Sequence, residues 1–330
     1  MEVGAMWSAV LFLTVLAGDT PTVIAHRGAS GSRPEHTMEA YKLGLAEGAD
    51  AIEPDLVVTA DGHLIARHDL DLARSTDVAA RFTERQQTRD LEGRSVTGWF
   101  SDQFTLAEVQ TLRAREPRAD RSTAHDGRYG LVTWPQLLAW ALEQPAPVPL
   151  VPELKHVAHL QARGLDPIPP FLAAIESARY PHDQLWVQCF EVGALRTLNA
   201  KTDLRLVQLV GDLDASPADV GAPYRSMLTP DGLAEIATYA HAIGVHKQHI
   251  WPLEADETYG SVTSLVTDAH AAGLQVHVYT FRNEVSERSS SDPTPEAELQ
   301  RFYALGVDAV FADHPQTAVS ARDASPPKAP

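Results

Sequence analysis

Two acidic residues and one histidine are predicted to meet near the start of the chain. Glu53 and Asp55 are two residues apart in an apolar run, so strand alternation puts their side chains on one face. Asp61-Gly62 predicts a two-residue hairpin turn, whose register places His68 across from Asp55. Two carboxylates one pleat apart raise each other's pKa, and a hard divalent cation between them removes that cost.

Two further strand ends carry groups of related chemistry. Glu153 and Lys155 have the same two-residue spacing and project to one face. Charges at a strand end are expensive to bury unless they coordinate or pair, so Glu153 is a candidate third oxygen ligand and Lys155 a candidate phosphate contact. The first run ends in His26-Arg27-Gly28. In this order the residues offer a group that transfers protons, a group that binds anions and a glycine that permits a turn.

Strand-like runs alternate with segments of helical period along most of the chain, which predicts parallel strands joined by helical crossovers. The runs are residues 22–26, 50–58, 63–67, 148–154, 185–190, 204–209, 246–251, 274–280 and 307–311. This is one run more than a closed (βα)8 barrel needs, and the hairpin accounts for the surplus. The predicted fold is therefore α/β, a TIM (βα)8 barrel whose active site lies at the carboxyl ends of the strands.

The chain divides into three predicted parts. Residues 1–17 resemble a signal peptide, because the apolar run 5–17 is too short for a membrane span; an added or mis-started N-terminus is the alternative. Residues 18–320 form one barrel domain. It includes a segment rich in Arg, Asp, Thr and Gly, residues 72–132, hereafter the insertion, which we expect to cap the site. The tail 321–330 is expected to be disordered.

Composition excludes several classes of partner. Lys plus Arg is 27 and Asp plus Glu is 44, which gives a net charge of −17. Such an acidic chain is a poor nucleic-acid binder and a poor ligand for anionic lipid surfaces. The single cysteine, Cys189, allows no intrachain disulfide.

Several motifs in order resemble the glycerophosphodiester phosphodiesterase family. They are Ile24-Ala25-His26-Arg27-Gly28-Ala29, Pro34-Glu35-His36-Thr37, Glu53-Pro54-Asp55, His68-Asp69 and Pro152-Glu153-Leu154-Lys155. Later segments resemble the periplasmic branch of that family: Val187-Gln188-Cys189-Phe190, Val276-His277-Val278-Tyr279-Thr280 and Phe311-Ala312-Asp313-His314-Pro315. Asp102-Gln103-Phe104-Thr105-Leu106 resembles that branch's insertion, and it departs from the pattern at Gln103, where a neighbouring acidic–aromatic pair is expected.

The resemblance implies a metal-dependent hydrolase of deacylated phospholipids, such as glycerophosphocholine or glycerophosphoethanolamine, which yields glycerol 3-phosphate and an alcohol. It implies one bound divalent cation, Ca²⁺ in preference to Mg²⁺, and a periplasmic or secreted protein without stable membrane insertion. The implied roles are metal binding by Glu53, Asp55 and Glu153, acid–base catalysis by His26 and His68, and substrate binding by Arg27, Glu35, Lys155, Gln188, Phe190 and Tyr279. His26 is the favoured base, and Glu35 is expected to orient His26 or Arg27.

Two alternatives remain open from the sequence. One is a different phosphodiesterase on the same barrel, of the phosphatidylinositol-phospholipase or sphingomyelinase D type, which needs an apolar rim that faces lipid. The other is a phosphodiester-binding surface protein that has lost activity, which predicts a gap in the catalytic set.

Overall fold

The computed structural model describes residues 20–325. Ten β-strands of that range form one sheet and two form a separate hairpin. In chain order the strands are β1 Thr22–His26, β2 Ala51–Glu53, β3 Asp55–Val58, β4 Leu64–Ala66, β5 Gln87–Leu91, β6 Arg94–Gly98, β7 Glu153–Leu154, β8 Trp186–Cys189, β9 Arg205–Val210, β10 Ala242–His246, β11 Gln275–Phe281 and β12 Ala309–Ala312.

The large sheet curls into an α/β barrel. Its order is β2-β1-β12-β11-β10-β9-β8-β7-β3-β4, and β2 and β3 are halves of one extended segment interrupted at Pro54. Because β2 pairs with β1 and β3 pairs with β7, this segment joins the two ends of the sheet. The Ile52 N–H donates to the Pro149 carbonyl, and the Ile52 carbonyl accepts from the Val151 N–H. The predicted α/β barrel is thereby confirmed.

β3 and β4 form the predicted antiparallel hairpin, but its turn is longer than expected. Leu56 pairs with Ala66, and the Thr59 N–H donates to the His63 carbonyl. Three residues therefore lie in the loop, and the last of them, Gly62, has φ +82°. A left-handed glycine at that place is typical of a three-residue hairpin loop, and it shifts the register by one residue.

Helices cover the outside of the barrel and connect its strands. They are α1 Met38–Ala46, α2 Val78–Arg81, α3 Leu106–Val109, α4 Trp134–Leu142, α5 Val157–Ala162, α6 Ile168–Ala178, α7 Val192–Lys201, α8 Tyr224–Met227, α9 Pro230–Ile236, α10 Lys247–Ile250, α11 Leu265–Ala271, α12 Pro295–Ala304 and α13 Pro315–Asp323. Capping boxes begin α3 at Thr105 and α4 at Thr133, as the sequence predicts. None of the helices in residues 20–325 has the length and apolar character needed to cross a membrane.

Alternate residues of the barrel strands contribute to different hydrophobic clusters. Val23 and Ala25 of β1 belong to the large cluster that includes residues of the surrounding helices. Ile24, between them, belongs to a small cluster with Phe311 of β12 and Val151. This alternation buries both faces of the strands, as expected for a parallel barrel, and leaves the strand ends to carry polar groups.

The insertion packs on the barrel through apolar residues of its own. Leu72, Val78, Phe100, Phe104 and Leu112 are each at most 1% exposed and belong to the large cluster. By contrast, most residues of the β5–β6 hairpin are exposed or half-buried. The insertion therefore has a buried base and a projecting two-stranded hairpin.

Two further predictions about local structure are wrong. The run 246–251 is not a strand: β10 ends at His246, whose side chain accepts from the Gln248 N–H and begins α10. Disorder from residue 321 is also wrong, because α13 continues to Asp323 and Ala321 is buried. The predicted signal peptide and residues 326–330 lie outside the described residues.

Candidate active site

Three buried carboxylates lie together where β2, β3 and β7 meet. Glu53 ends β2, Asp55 begins β3 directly after Pro54, and Glu153 begins β7, where it pairs with Asp55. One oxygen from each of the three carboxylates lies within 4.8 Å of the other two. None of these residues is more than 6% exposed. The predicted convergence of the three side chains is thus present in the fold.

The electrostatics of this cluster suit a hard cation. Burial and the charge of Asp55 raise the pKa of Glu53 well above its ordinary value. Burial raises the pKa of Glu153 to about 8, although Lys155 acts in the opposite direction. Without a cation, burial and mutual repulsion disfavour the ionised form of these carboxylates. A divalent cation bound between them would offset that repulsion. The all-oxygen donor set therefore fits Ca²⁺ or Mg²⁺.

Arg27 connects the end of β1 to the carboxylate cluster. Its backbone N–H donates to Glu53 Oε2 at 2.7 Å, its Nη1 donates to Glu35 Oε2 at 2.9 Å, and its Nε lies 3.3 Å from Asp55 Oδ2. Arg27 itself has φ 59°, and the next residue, Gly28, has φ 82°. A Cβ on Gly28 would lie 2.5 Å from the Ala40 carbonyl carbon, so only glycine fits where α1 packs on this turn.

Glu35 acts through Arg27. Of the two partners expected for it, the structure shows Arg27 and not His26. Burial would raise the pKa of Glu35, but Arg27, His36 and His68 together outweigh burial and lower it to about 2. The ionised Glu35 therefore holds the guanidinium in place beside the cluster.

Lys155 and Gln188 lie against the same carboxylates. Lys155 Nζ is 2.8 Å from Glu153 Oε1 and 3.7 Å from Asp55 Oδ1. Burial lowers the pKa of Lys155, but its carboxylate partners outweigh burial and raise it, so the ammonium keeps its charge. Gln188 Nε2 donates to Glu53 Oε1 at 3.3 Å, while Gln188 Oε1 is buried and has no hydrogen-bond partner within residues 20–325. Gln188 also lines the cavity beside the cluster, which makes this oxygen a candidate acceptor for a ligand.

Phe190 and Tyr279 line a cavity beside the cluster. The residues around this cavity are His26, Glu53, Glu153, Gln188, Phe190, Leu209, Tyr279 and Phe311. The Phe190 ring meets the Tyr279 ring edge to face, with centroids 6.4 Å apart, and lies 5.7 Å from Lys155 Nζ. The Tyr279 hydroxyl already donates to the Val210 carbonyl at 2.6 Å, so Tyr279 presents its ring to the cavity.

The His26 ring contacts the carboxylate of Asp313, a residue for which no role was predicted from the sequence. His26 Nδ1 lies 2.6 Å from Asp313 Oδ1, and both residues are at most 9% exposed. Burial, reinforced by Arg27, lowers the pKa of His26 to about 4, so the ring is neutral near pH 7. Asp313 stands directly after β12, and its position at a strand end was a signal that could have identified it.

His68 does not occupy its predicted register position. The one-residue shift of the hairpin places Arg67 across from Asp55, and the Arg67 N–H donates to the Asp55 carbonyl at 2.9 Å. His68 lies after the end of β4, with Nδ1 2.8 Å from Asp69 Oδ1. Burial, with Arg27 and Lys155 nearby, lowers its pKa to about 4. His68 therefore reaches the site from a loop and not from the strand pleat.

His36 supports the cluster although the sequence analysis favoured no chemical role for it. Its Nε2 lies 2.9 Å from Asp55 Oδ2, its Nδ1 lies 3.0 Å from the Tyr41 hydroxyl, and its side chain is fully buried. Burial acts to raise the pKa of Asp55, but Lys155, His68 and His36 together outweigh burial and hold it well below its usual range. Asp55 is thus the carboxylate most firmly kept ionised.

Comparison with known proteins gives one consistent result. The family model described as "Glycerophosphoryl diester phosphodiesterase family" matches residues 26–317. The Arabidopsis thaliana glycerophosphodiester phosphodiesterase GDPD6 is 31% identical over 312 residues, which cover 89% of this chain and 83% of that protein. A glycerophosphodiester phosphodiesterase of Haemophilus influenzae is 29% identical over 335 residues, with 90% of this chain and 88% of that protein covered.

Solved structures agree on the fold. A phosphodiesterase of Oleispira antarctica, solved in complex with the product sn-glycerol-3-phosphate, superposes with a TM-score of 0.62 at 22% identity. The match covers 92% of this chain and 98% of that one. Because the family model matches residues 26–317, most of the chain, and the carboxylate cluster lies inside that range, this chain belongs to the glycerophosphoryl diester phosphodiesterase family.

Proposed function

We propose that this protein is a glycerophosphodiester phosphodiesterase that hydrolyses deacylated phospholipids to glycerol 3-phosphate and an alcohol. The observation that carries the proposal is the convergence of three buried carboxylates, the half-buried Arg27, the buried Lys155 and two histidines at one end of the barrel. Carboxylates can hold a metal, cations bind a phosphodiester, and histidines move protons. The product in the Oleispira complex is one that this reaction forms.

Glu53, Asp55 and Glu153 would hold one divalent cation. Ca²⁺ is proposed in preference to Mg²⁺, because it accepts an irregular set of carboxylates without strict octahedral geometry. When bound, the cation would polarise the phosphoryl oxygen and stabilise negative charge on it. The protein supplies the remaining groups.

Protons and phosphate charge are handled by the protein's own residues. His26 takes the proton of the attacking oxygen, and His68 gives a proton to the leaving alcohol. Arg27 and Lys155 stabilise the charge that develops on the phosphoryl oxygens. Gln188, Phe190 and Tyr279 contact the glycerol and headgroup from the cavity side.

The attacking oxygen in this proposal belongs to the substrate. The glycerol hydroxyl beside the phosphoester loses its proton to His26 and attacks phosphorus, and the P–O bond to the alcohol breaks. The cyclic phosphate that results is then opened by water. Intramolecular attack benefits from proximity. A deoxy analogue without that hydroxyl should bind and inhibit but turn over very slowly, whereas normal turnover of the analogue would show that water attacks directly.

Two further assignments extend the proposal. The insertion caps the site and selects the headgroup, which is supported by contacts from two parts of it: in the turn of the β5–β6 hairpin, Glu92 Oε1 lies 2.6 Å from His156 Nδ1, and nearer the C-terminal end Arg121 pairs with Asp313. The protein acts in the periplasm or outside the cell, as proposed from the apolar run 5–17 and from the resemblance to the periplasmic branch.

Turnover of a panel of glycerophosphodiesters tests the function. Purified protein should release glycerol 3-phosphate from at least one member that carries choline, ethanolamine, serine or glycerol. EDTA should abolish release, and Ca²⁺ or Mg²⁺ should restore it. Acylated phospholipids and sphingomyelin are assayed beside the panel, and hydrolysis of these lipids instead would identify the lipid-directed alternative. No hydrolysis of any compound would support a binding protein.

The carboxylate cluster has its own test. Glu153→Gln should weaken the activating cation's apparent affinity by at least 10-fold, because a neutral amide replaces one charged ligand. Glu143→Gln, an exposed carboxylate outside the site, serves as the matched control. Equal cation dependence in both variants would overturn the assignment of the cluster as the metal site.

A further inference from the structure

Asp313 is a buried acceptor surrounded by cationic side chains. It is 2% exposed, and its Oδ1 lies 2.6 Å from His26 Nδ1. Its Oδ2 accepts from Arg121 Nη2 at 2.6 Å and from Arg282 Nε at 2.9 Å. A carboxylate used on both oxygens by three donors is a fixed element of structure and not a surface charge.

Arg121 reaches Asp313 from the C-terminal part of the insertion. Its side chain is 5% exposed, and besides Asp313 it donates to Glu284 Oε1 at 2.6 Å and to the Ser30 carbonyl at 3.2 Å. Burial acts to raise the pKa of Asp313, but His26, Arg282 and Arg121 outweigh burial and hold it well below its ordinary range. Asp313 is therefore an ionised carboxylate that can only accept hydrogen bonds.

This arrangement decides which nitrogen of His26 carries the proton. Because Asp313 can only accept, a neutral His26 must place its hydrogen on Nδ1. The lone pair then lies on Nε2, and the ring lines the cavity that also contains Glu53 and Glu153. A base in this tautomer needs no rearrangement before it accepts a proton.

We propose that Asp313 is a positioning residue that fixes His26 in the tautomer protonated on Nδ1. We propose further that Arg121, through its ion pair with Asp313, makes the insertion contribute to this positioning. The inference rests on the proposed function for its kinetic consequence, but the tautomer itself is independent of turnover. It assigns the insertion a role in proton transfer, beyond its proposed contact with the headgroup.

Nitrogen NMR of protein labelled with ¹⁵N-histidine tests the tautomer directly. Spectra are recorded near pH 7.5 with the cation that supports turnover, and His26→Gln identifies the His26 signals. The wild-type ring should show a protonated Nδ1 and an unprotonated Nε2. Asp313→Asn should populate the other tautomer, and Arg118→Gln should not. An Nε2-protonated ring in the wild type would overturn the inference.

Kinetics provide the second measurement. Asp313→Asn should lower kcat by roughly 10²–10⁴-fold with KM changed less than 3-fold, because orientation and not substrate contact is lost. Arg121→Gln should lower kcat by about 10-fold. Arg118→Gln is the matched control: it lies in the same segment, donates to Asp120 and Glu287, and should change kcat by less than 2-fold.

A double mutant tests whether Arg121 acts through Asp313 or affects the site independently. Arg121→Gln combined with Asp313→Asn should be no slower than Asp313→Asn alone, because Arg121 acts through Asp313. Multiplied losses would overturn that link. If the wild type hydrolyses no glycerophosphodiester, the proposed function fails while NMR still decides the tautomer. If the wild type is active and Asp313→Asn keeps its kcat, the function stands and the inference fails.

Discussion

The two histidines differ in how far they are withdrawn from solvent. The His26 side chain is 11% exposed and that of His68 is 30% exposed. A leaving alcohol must depart toward the open side of the barrel, so the more exposed ring is the better proton donor to it. Both pKa values are lowered to about 4, and the negative phosphodiester must raise that of His68 for this role.

Removal of each histidine should therefore have a different signature. His26→Ala and His68→Ala should each lower kcat by roughly 10²–10⁴-fold with a choline ester. With a p-nitrophenyl ester, whose leaving group needs no protonation, His68→Ala should recover most of its activity and His26→Ala should not. Recovery by His26→Ala alone would reverse the two assignments.

At the scale of elements, the insertion can be shortened without loss of its anchors. Its base is fixed by buried aromatic residues, and Arg89 of β5 pairs with Asp102 at 2.6 Å. Removing residues 90–95 and joining Arg89 to Val96 through Asn-Gly keeps that pair, because Arg89 and Val96 are directly opposed. The hairpin tip and its contact with His156 are then lost.

The shortened protein should keep its melting temperature within a few degrees and change KM unequally among headgroups. The physical reason is that the tip contacts the residue next to Lys155 and buries little apolar surface. Glu92→Gln, which weakens the ion pair alone, should show part of the same change. KM values that stay equal for every headgroup would contradict a role of the hairpin in selection.

Strand ends were predictable from the sequence, and the contacts of loops were not. Alternation places Glu53 and Asp55 on one face, and the same spacing relates Glu153 to Lys155, so the cluster follows from local geometry. The hairpin register depended on a three-residue loop that Asp61-Gly62 did not distinguish from a two-residue loop. The contact of Arg121 with Asp313 joins residues 192 positions apart, with no periodic pattern to indicate it.

For the whole molecule, a buried neutral histidine makes stability depend on pH. His277 lies inside the barrel between Trp186 and Phe311, and burial lowers its pKa to about 4. The unfolded chain binds this proton near pH 6.5, so its contribution to stability is complete above pH 6.5 and is lost as the pH falls toward 4.

His277→Phe should remove this part of the pH dependence. Urea unfolding of the wild type should lose about 2 kcal/mol more than the variant between pH 7.5 and pH 5, because one unfolded-state proton is no longer linked to folding. The comparison is between two proteins with the same remaining groups, so other titrations cancel. Parallel pH profiles for the two proteins would contradict the assignment.

The pairing of β1 with β12 has a consequence for biosynthesis. His26 and Asp313 are 287 positions apart, and they meet only when the first and last strands of the barrel lie side by side. During synthesis, every candidate metal ligand is therefore translated well before Asp313, the partner of His26. Because loop-closure entropy grows with sequence separation, this contact is among the costliest to form. Hydrolytic competence is thus withheld from nascent and truncated chains until the barrel is closed.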